Sequence, residues 1–348
     1  MTPVHDDVRI DAGVLRLEDP AVTADAIAEA MRRAARDFRR RGGVLGLSGG
    51  IDSSVVAALA ARAFGPQRVL GVLMPESDSS PDTLRLSRLA ADAVGIETVV
   101  EDITPALQAV GCYQRRDDAI RKVLPEYGEG WKAKIVLPSV VDSDAFRLFS
   151  VVAVDPDGNE HRERLSAEAY LEVVAATNFK QRTRKMLEYH HADRLNRLVL
   201  GTPNRLEYDQ GFFVKNGDGS ADLKPIAHLY KSQVYQLAQV IGVPEEIRSR
   251  PPTTDTYSMP QSQEEFYFSL PYDAMDLCLY AVDHGLPPAA VTDALSLTLE
   301  QAQRVFDDIV AKRRVARYLH APPVLLGLVG TDVAASKTVA ADADDGAT

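Results

Sequence analysis

The chain has 348 residues, 45% of them hydrophobic and 26% charged, with a net charge of −11 at pH 7. That is enough apolar material for a sizeable globular core, and the negative field opposes nucleic acid unless a local basic patch overrides it. Two cysteines far apart, Cys112 and Cys278, exclude a disulfide scaffold, a zinc module and a CxxC redox pair. No run of about 18 apolar residues marks a membrane span, and the acidic N-terminal stretch lacks a signal-peptide pattern, so a cytoplasmic enzyme is the expectation.

Residues 1–22 read as an N-terminal arm. Residues 23–40 (TADAIAEAMRRAARDFRR) have the apolar spacing of an amphipathic helix stopped by Gly42 and Gly43. A short apolar strand at 44–47 leads into a Gly turn and a helix at 52–64. A second buried strand covers 68–75, a helix 82–94 closes at Gly95, and a third strand covers 97–103. Strands alternating with helices predict a mostly parallel, doubly wound α/β sheet. A further strand at 197–202 and a helix at 231–242 continue the pattern. A β-rich insertion at about 111–176 interrupts it. There KAKIVLP and FRLFSVVAV read as strands, DPDGN as a turn, HRERLS as a returning hairpin strand, and Ser166 as the N-cap of the next helix. The domain thus runs from 23 to 330, and 331–348, rich in Ala, Asp and Thr without apolar period, reads as a disordered tail.

The turn VLGLSGGIDSS carries the chemistry. A strand that ends in a Gly-rich turn and opens a helix presents backbone N–H groups and a partial positive charge to an anion. The hydroxyls of Ser48, Ser53 and Ser54 can donate to phosphate oxygens; the bland alternative is a tight turn with serine as N-cap. No Lys-Ser or Lys-Thr follows the glycines, so this is not the common nucleotide loop. Asp52 would repel a phosphate unless a cation stood between them, and Mg²⁺, which takes carboxylate and phosphate oxygens together, resolves the conflict.

SGGIDSS resembles the pyrophosphate loop of the N-type ATP pyrophosphatases, a superfamily with an adenine nucleotide alpha hydrolase-like fold. GTPNRLEYDQGFFVKNGDGSADLKPIAHLYKSQV, at 201–234, resembles the second signature of the ammonia-dependent NAD synthetases, and TNFKQRTRKM and VPEEIRSRPPT resemble two further blocks of that family. The resemblance implies ATP as a substrate, held by Gly46, Leu47, Ser48, Gly49, Gly50, Ile51, Asp52, Ser53, Thr202, Lys231 and Thr253. It implies Mg²⁺ on Asp52 and Glu207, and acceptor contacts from Arg182, Lys215, Asp222 and Lys312. Asp52 and Lys231 are then the catalytic pair. The reaction implied is adenylation of the nicotinate carboxylate of deamido-NAD, then attack by ammonia to give NAD, AMP and pyrophosphate. No enzyme nucleophile is required, and His190 and His191 read as structural. The resemblance also implies a homodimer with the acceptor near the subunit interface, and ammonia that is free or delivered by a separate glutaminase.

The chain departs from the family pattern on the acceptor side. Gln210 replaces a threonine, Ala311 stands where a histidine precedes Lys312, and Phe266, Tyr267 and Phe268 replace polar and small positions. The aromatic run reads either as core packing or as an apolar acceptor wall. Two alternatives therefore stay open: an ATP pyrophosphatase acting on another carboxylic acid in secondary metabolism, and a non-catalytic nucleotide-binding protein. A tRNA-thiolating relative would need reactive cysteines and a basic surface, which this acidic chain does not offer.

Overall fold

The computed structural model describes residues 8–139, 148–251, 253–254, 256–262, 264–268, 270–324 and 326; the expected tail at 331–348 lies outside the described residues. Strands β1 (Gly43–Gly46), β2 (Val69–Leu73) and β3 (Glu97–Val100) follow one another across one half of the central sheet. Strands β4 (Lys132–Val136), β5 (Ser150–Val154) and β6 (Glu160–Arg164) form a separate antiparallel sheet, and β7 (Leu198–Val199) returns to the first. The central order is β3-β2-β1-β7, with every pair parallel. The chain therefore reverses direction of winding between β1 and β7, the place where open α/β sheets bind ligands. A last pair, β8 (Thr253–Thr254) and β9 (Gln261–Ser262), is antiparallel.

Alternation along β1 explains the two layers. Leu45 packs into one apolar cluster with the helices Pro20–Asp37, Ile51–Phe64, Pro81–Val94 and Lys231–Val240. Val44 packs into the other, with Leu70, Val72, Ile103, Cys112 and Ala192. The sheet is thus doubly wound and buried on both faces, as its continuous apolar strands require. A third cluster joins Leu15 of the N-terminal arm to the helices Tyr272–Asp283 and Leu299–His320. Among the described residues no helix is long and apolar enough to cross a membrane.

Several element ends differ from the sequence expectation, each for a local reason. The first helix spans Pro20–Asp37 rather than 23–40, because the Asp19 side chain accepts the Ala21 and Val22 N–H groups with Pro20 at the first position. Gly42 and Gly43 do not stop it; Gly43 opens β1, and a side chain at Gly42 would collide with the Arg68 carbonyl. The strand expected at 97–103 ends at Val100. The one expected at 197–202 shrinks to Leu198–Val199, where the Asp222 carboxylate takes the Val199 N–H at 2.8 Å.

The segment 111–176 is only partly β. It opens with the helix Cys112–Arg121 and closes inside the helix Ala167–Leu195, with β4 to β6 between. The hairpin does form: Asp155 accepts the N–H groups of Asp157 and Asn159 in the turn, and β6 pairs with β5. Ser166 caps the long helix by accepting the Ala169 N–H.

Candidate functional site

The loop after β1 is built from backbone. Gly49 has φ +76°, and a Cβ there would stand 2.6 Å from Leu86 Cβ, so only glycine lets the turn pack against the helix Pro81–Val94. The helix Ile51–Phe64 starts at Gly50 with no side-chain cap, leaving its first N–H groups aimed outward. The serines stabilise the loop itself. Ser48 Oγ accepts the Gly50 N–H, and the Ser53 and Ser54 hydroxyls both donate to the Gly50 carbonyl. No serine side chain caps this helix, and the Ser53 and Ser54 hydroxyls bond within the turn.

Four elements converge at its mouth. Lys231, almost fully buried at the start of the helix Lys231–Val240, pairs with the Asp52 carboxylate. Burial works to lower the pKa of this ammonium, but the charges of Asp52 and then Glu207 outweigh it, so the net shift is upward and the lysine is charged. Asn204 joins the two carboxylates: its side chain donates to Asp52 at 3.1 Å, and its backbone N–H is accepted by Glu207 at 3.1 Å. The Asn204 side-chain oxygen in turn takes the Glu207 N–H, completing a capping box on the helix Arg205–Gln210. Asp276, buried beneath, accepts the N–H groups of Lys231 and Ser232 and so fixes the lysine's helix; burial pushes its carboxyl up to about 6.

This group opens into a cavity of about 960 Å³, large enough for a nucleotide with a second ligand. Gly46, Leu47, Ser48, Gly49, Gly50, Ile51, Asp52, Ser53, Thr202, Glu207 and Lys231 all line it. Thr253 lies on β8 nearby in sequence, and its side chain lies outside the described residues. The four acceptor candidates are elsewhere. Arg182 is exposed and donates to the Lys215 carbonyl; Lys215 donates to the Tyr318 and Ala321 carbonyls at the end of the last helix. Asp222 holds β7, and Lys312 pairs with Asp308 and donates to the Tyr267 carbonyl. The aromatic run divides: Phe268 is core, while Phe266 and Tyr267 line the cavity.

Sequence reasoning missed the buried charges that brace this cavity. Lys180 is fully buried and donates to Glu76 at 2.9 Å, Asp78 at 2.7 Å and the Thr256 carbonyl at 2.7 Å. Arg116 completes the pairing of Asp78, and Tyr113 donates to Glu76. Burial raises the Asp78 carboxyl, but Lys180 and Arg116 outweigh it and hold it below the ordinary range. Lys185 and Glu188 form a second buried pair on the cavity wall. Their trace in the sequence is a polar stripe at helical spacing, Thr177, Lys180, Arg184 and Glu188, which spacing alone does not show to face inward. Asn204 was also legible, as the Asn-x-x-Glu of a capping box. The thiols are inert: both are buried, and burial pushes Cys278 up to about 12.

Among the described residues no group of three or more His, Cys, Asp or Glu side chains could hold a metal by itself. Asp52 and Glu207, linked through Asn204 beside an anion-binding loop, fit a hard divalent ion that draws its other ligands from phosphate and water.

Fold and site together define a nucleotide-binding enzyme of the doubly wound α/β class, with a Gly-rich loop at its switch point. The NAD synthase family model matches residues 23–124 and 149–318, and the chain belongs to that family. A curated relative from Rhizobium meliloti, an NH(3)-dependent NAD(+) synthetase, is 60% identical over 88% of this chain and 92% of its own length. One of the same description from Rhizobium rhizogenes is 58% identical over 93% and 97%. Among solved structures, an NMN synthetase from Francisella tularensis superposes with TM-score 0.62 at 20% identity, covering 89% of this chain and 99% of that one. At that identity the likeness speaks for the fold.

Proposed function

We propose that the chain is an ammonia-dependent NAD synthetase. The nicotinate carboxylate of deamido-NAD attacks the α-phosphorus of ATP, pyrophosphate leaves, and an acyl-adenylate remains. Ammonia then attacks the activated carbonyl, AMP leaves, and the amide of NAD is formed. The outward amides of the loop after β1 grip the phosphates, and Lys231 places a fixed charge where negative charge collects on the leaving pyrophosphate. Mg²⁺, held by Asp52 and Glu207, would neutralise phosphate charge that those carboxylates otherwise repel. Thr202 and Thr253 complete the ATP contacts.

Arg182, Lys215, Asp222 and Lys312 reach the acceptor as part of a homodimer. Arg182 shares one exposed face of the long helix with Leu171, 64% exposed, and Met186, 61% exposed, which suits an interface that brings these residues to a partner's cavity. The enzyme works in the cytoplasm on free ammonia or ammonia handed over by a separate glutaminase. The observation that carries the reading is the Asp52–Lys231 pair tied to Glu207 through Asn204 at the mouth of the phosphate loop. The test is direct. Protein with ATP, Mg²⁺, ammonia and deamido-NAD is expected to yield AMP, pyrophosphate and NAD in equal amounts. Pyrophosphate released only with a different carboxylic acid would overturn it.

A further inference from the structure

The segment Thr256 to Gln261 forms one wall of the large cavity, and its anchors lie almost entirely in the inserted sheet. Sheet order β4-β5-β6 leaves β4 with one edge turned away from its own partner strands. That edge is taken up by the wall segment. The Ala133 N–H donates to Ser258 Oγ at 3.0 Å, the Met259 N–H donates to the Ala133 carbonyl at 3.4 Å, and the Gln261 side chain donates to the Ile135 carbonyl at 2.5 Å. Between these bonds Tyr257, 5% exposed, is buried in the insertion's own apolar core with Ile135, Val151, Ala153 and Val173. At the other end Lys180 donates to the Thr256 carbonyl, with the same ammonium that pairs Glu76 and Asp78 on the loop after β2.

The position of β4 in the chain gives this meaning. The family model leaves out residues 125–148, and β4 falls inside that gap. The wall segment therefore follows the proposed ATP contact Thr253 and is fixed by a strand that lies between the two stretches the family model matches. A segment held by these hydrogen bonds and one buried ring loses little entropy on ligand binding, because its order is already established.

We propose that β4, at the edge of the sheet β4-β5-β6, is a clasp that preorganises the Thr256–Gln261 wall for ATP, with Ala133 and Gln261 as positioning residues. This rests on the ATP site assigned above. Its test uses one variant on each side of the contact. Ala133→Pro removes the outward N–H from an edge strand, where proline is tolerated, and Ala133 does not line the cavity. Gln261→Ala removes the bond from the wall side. Glu163→Ala, on the exposed β6, is the control. KM for ATP and kcat are measured in NAD formation, ATP Kd by calorimetry without acceptor, and amide exchange for residues 256–262. Each clasp variant is expected to raise ATP KM and Kd about tenfold with kcat changed less than about threefold, and to speed exchange in the wall. If Ala133→Pro does not fold, Lys134→Met, which removes a 3.3 Å bond to the Pro260 carbonyl, takes its place.

The clasp is overturned if exchange quickens while ATP Kd stays within about twofold of wild type. It is equally overturned if Gln261→Ala alone weakens ATP, since that side chain would then touch the nucleotide directly. A wild-type protein that binds ATP but forms no NAD would sink the functional reading, while the ATP Kd and exchange arms would still judge the clasp.

Discussion

The loop after β1 and the acceptor candidates are built by different means. The loop presents backbone N–H groups whose direction is set by a local turn, so eight consecutive residues from Gly46 to Ser53 all face the cavity. The acceptor candidates are side chains on separate elements, and Arg182, Lys215, Asp222 and Lys312 all point elsewhere within the subunit. A backbone site is a property of one stretch of chain. A side-chain site depends on which face of each helix turns inward and on what a second subunit adds.

Three experiments break or sharpen that contrast, in order of expected effect. The largest concerns the charged mouth of the loop. Asp52→Asn and Glu207→Gln should each lower kcat/KM by about 10³-fold, read as pyrophosphate release at saturating Mg²⁺. Asparagine still offers Lys231 an oxygen, so circular dichroism should show a folded protein. Activity within about tenfold of wild type in both variants would dissolve the assignment of these carboxylates.

The second sets two arginines of one helix against each other. Arg184 lines the cavity and Arg182 does not. Arg184→Ala should raise the KM for deamido-NAD about tenfold by loss of a contact within the subunit. Arg182→Ala should do so only through a partner's site. Mixing Arg182→Ala with Asp52→Asn protein should then restore part of the activity through hybrid dimers. A mixture no more active at low deamido-NAD than its Arg182→Ala component alone would place Arg182 outside any shared site.

The smallest is a matter of pH. Asp276 has its carboxyl raised to about 6 by burial, against an ordinary value of about 3.9. The folded state therefore holds this proton longer than the unfolded chain does. The resulting stability is fully present below about pH 4 and is lost as pH rises through about 6. Asp276→Asn removes that titration, so its stability relative to wild type should climb between pH 4 and 6 and level off above. Denaturant melts across this range report it, and parallel curves would show that the carboxyl titrates normally.

How much was legible in the sequence follows the same contrast. The turn at Ser48 to Asp52, the αL stop at Gly95 and the cap at Ser166 were readable because each is settled within about five residues. A parallel sheet covered on both faces was readable from strand–helix alternation, while its order β3-β2-β1-β7 was not. The start of the first helix was misplaced because Asp19 and Pro20 outrank apolar periodicity as a starting signal. The helix Cys112–Arg121 was hidden by its charges, since the burial of Arg116 draws on Asp78, 38 residues away, as well as on its neighbour Asp117. Lys180 was hidden for the same reason: nothing in its neighbourhood announces that Glu76 and Asp78 will meet it. Buried charge pairs are long-range facts, and periodicity alone cannot tell an inward lysine from an outward one.

The occupied edge of β4 has a second consequence. An open strand edge is a template on which another chain can add itself, and soluble proteins cover such edges. Here the chain covers its own, with Ser258, Met259 and Gln261. The bonds that shape the pocket wall thus also keep copies of the protein from joining rim to rim, so a sequence drifting away from them would lose solubility along with substrate.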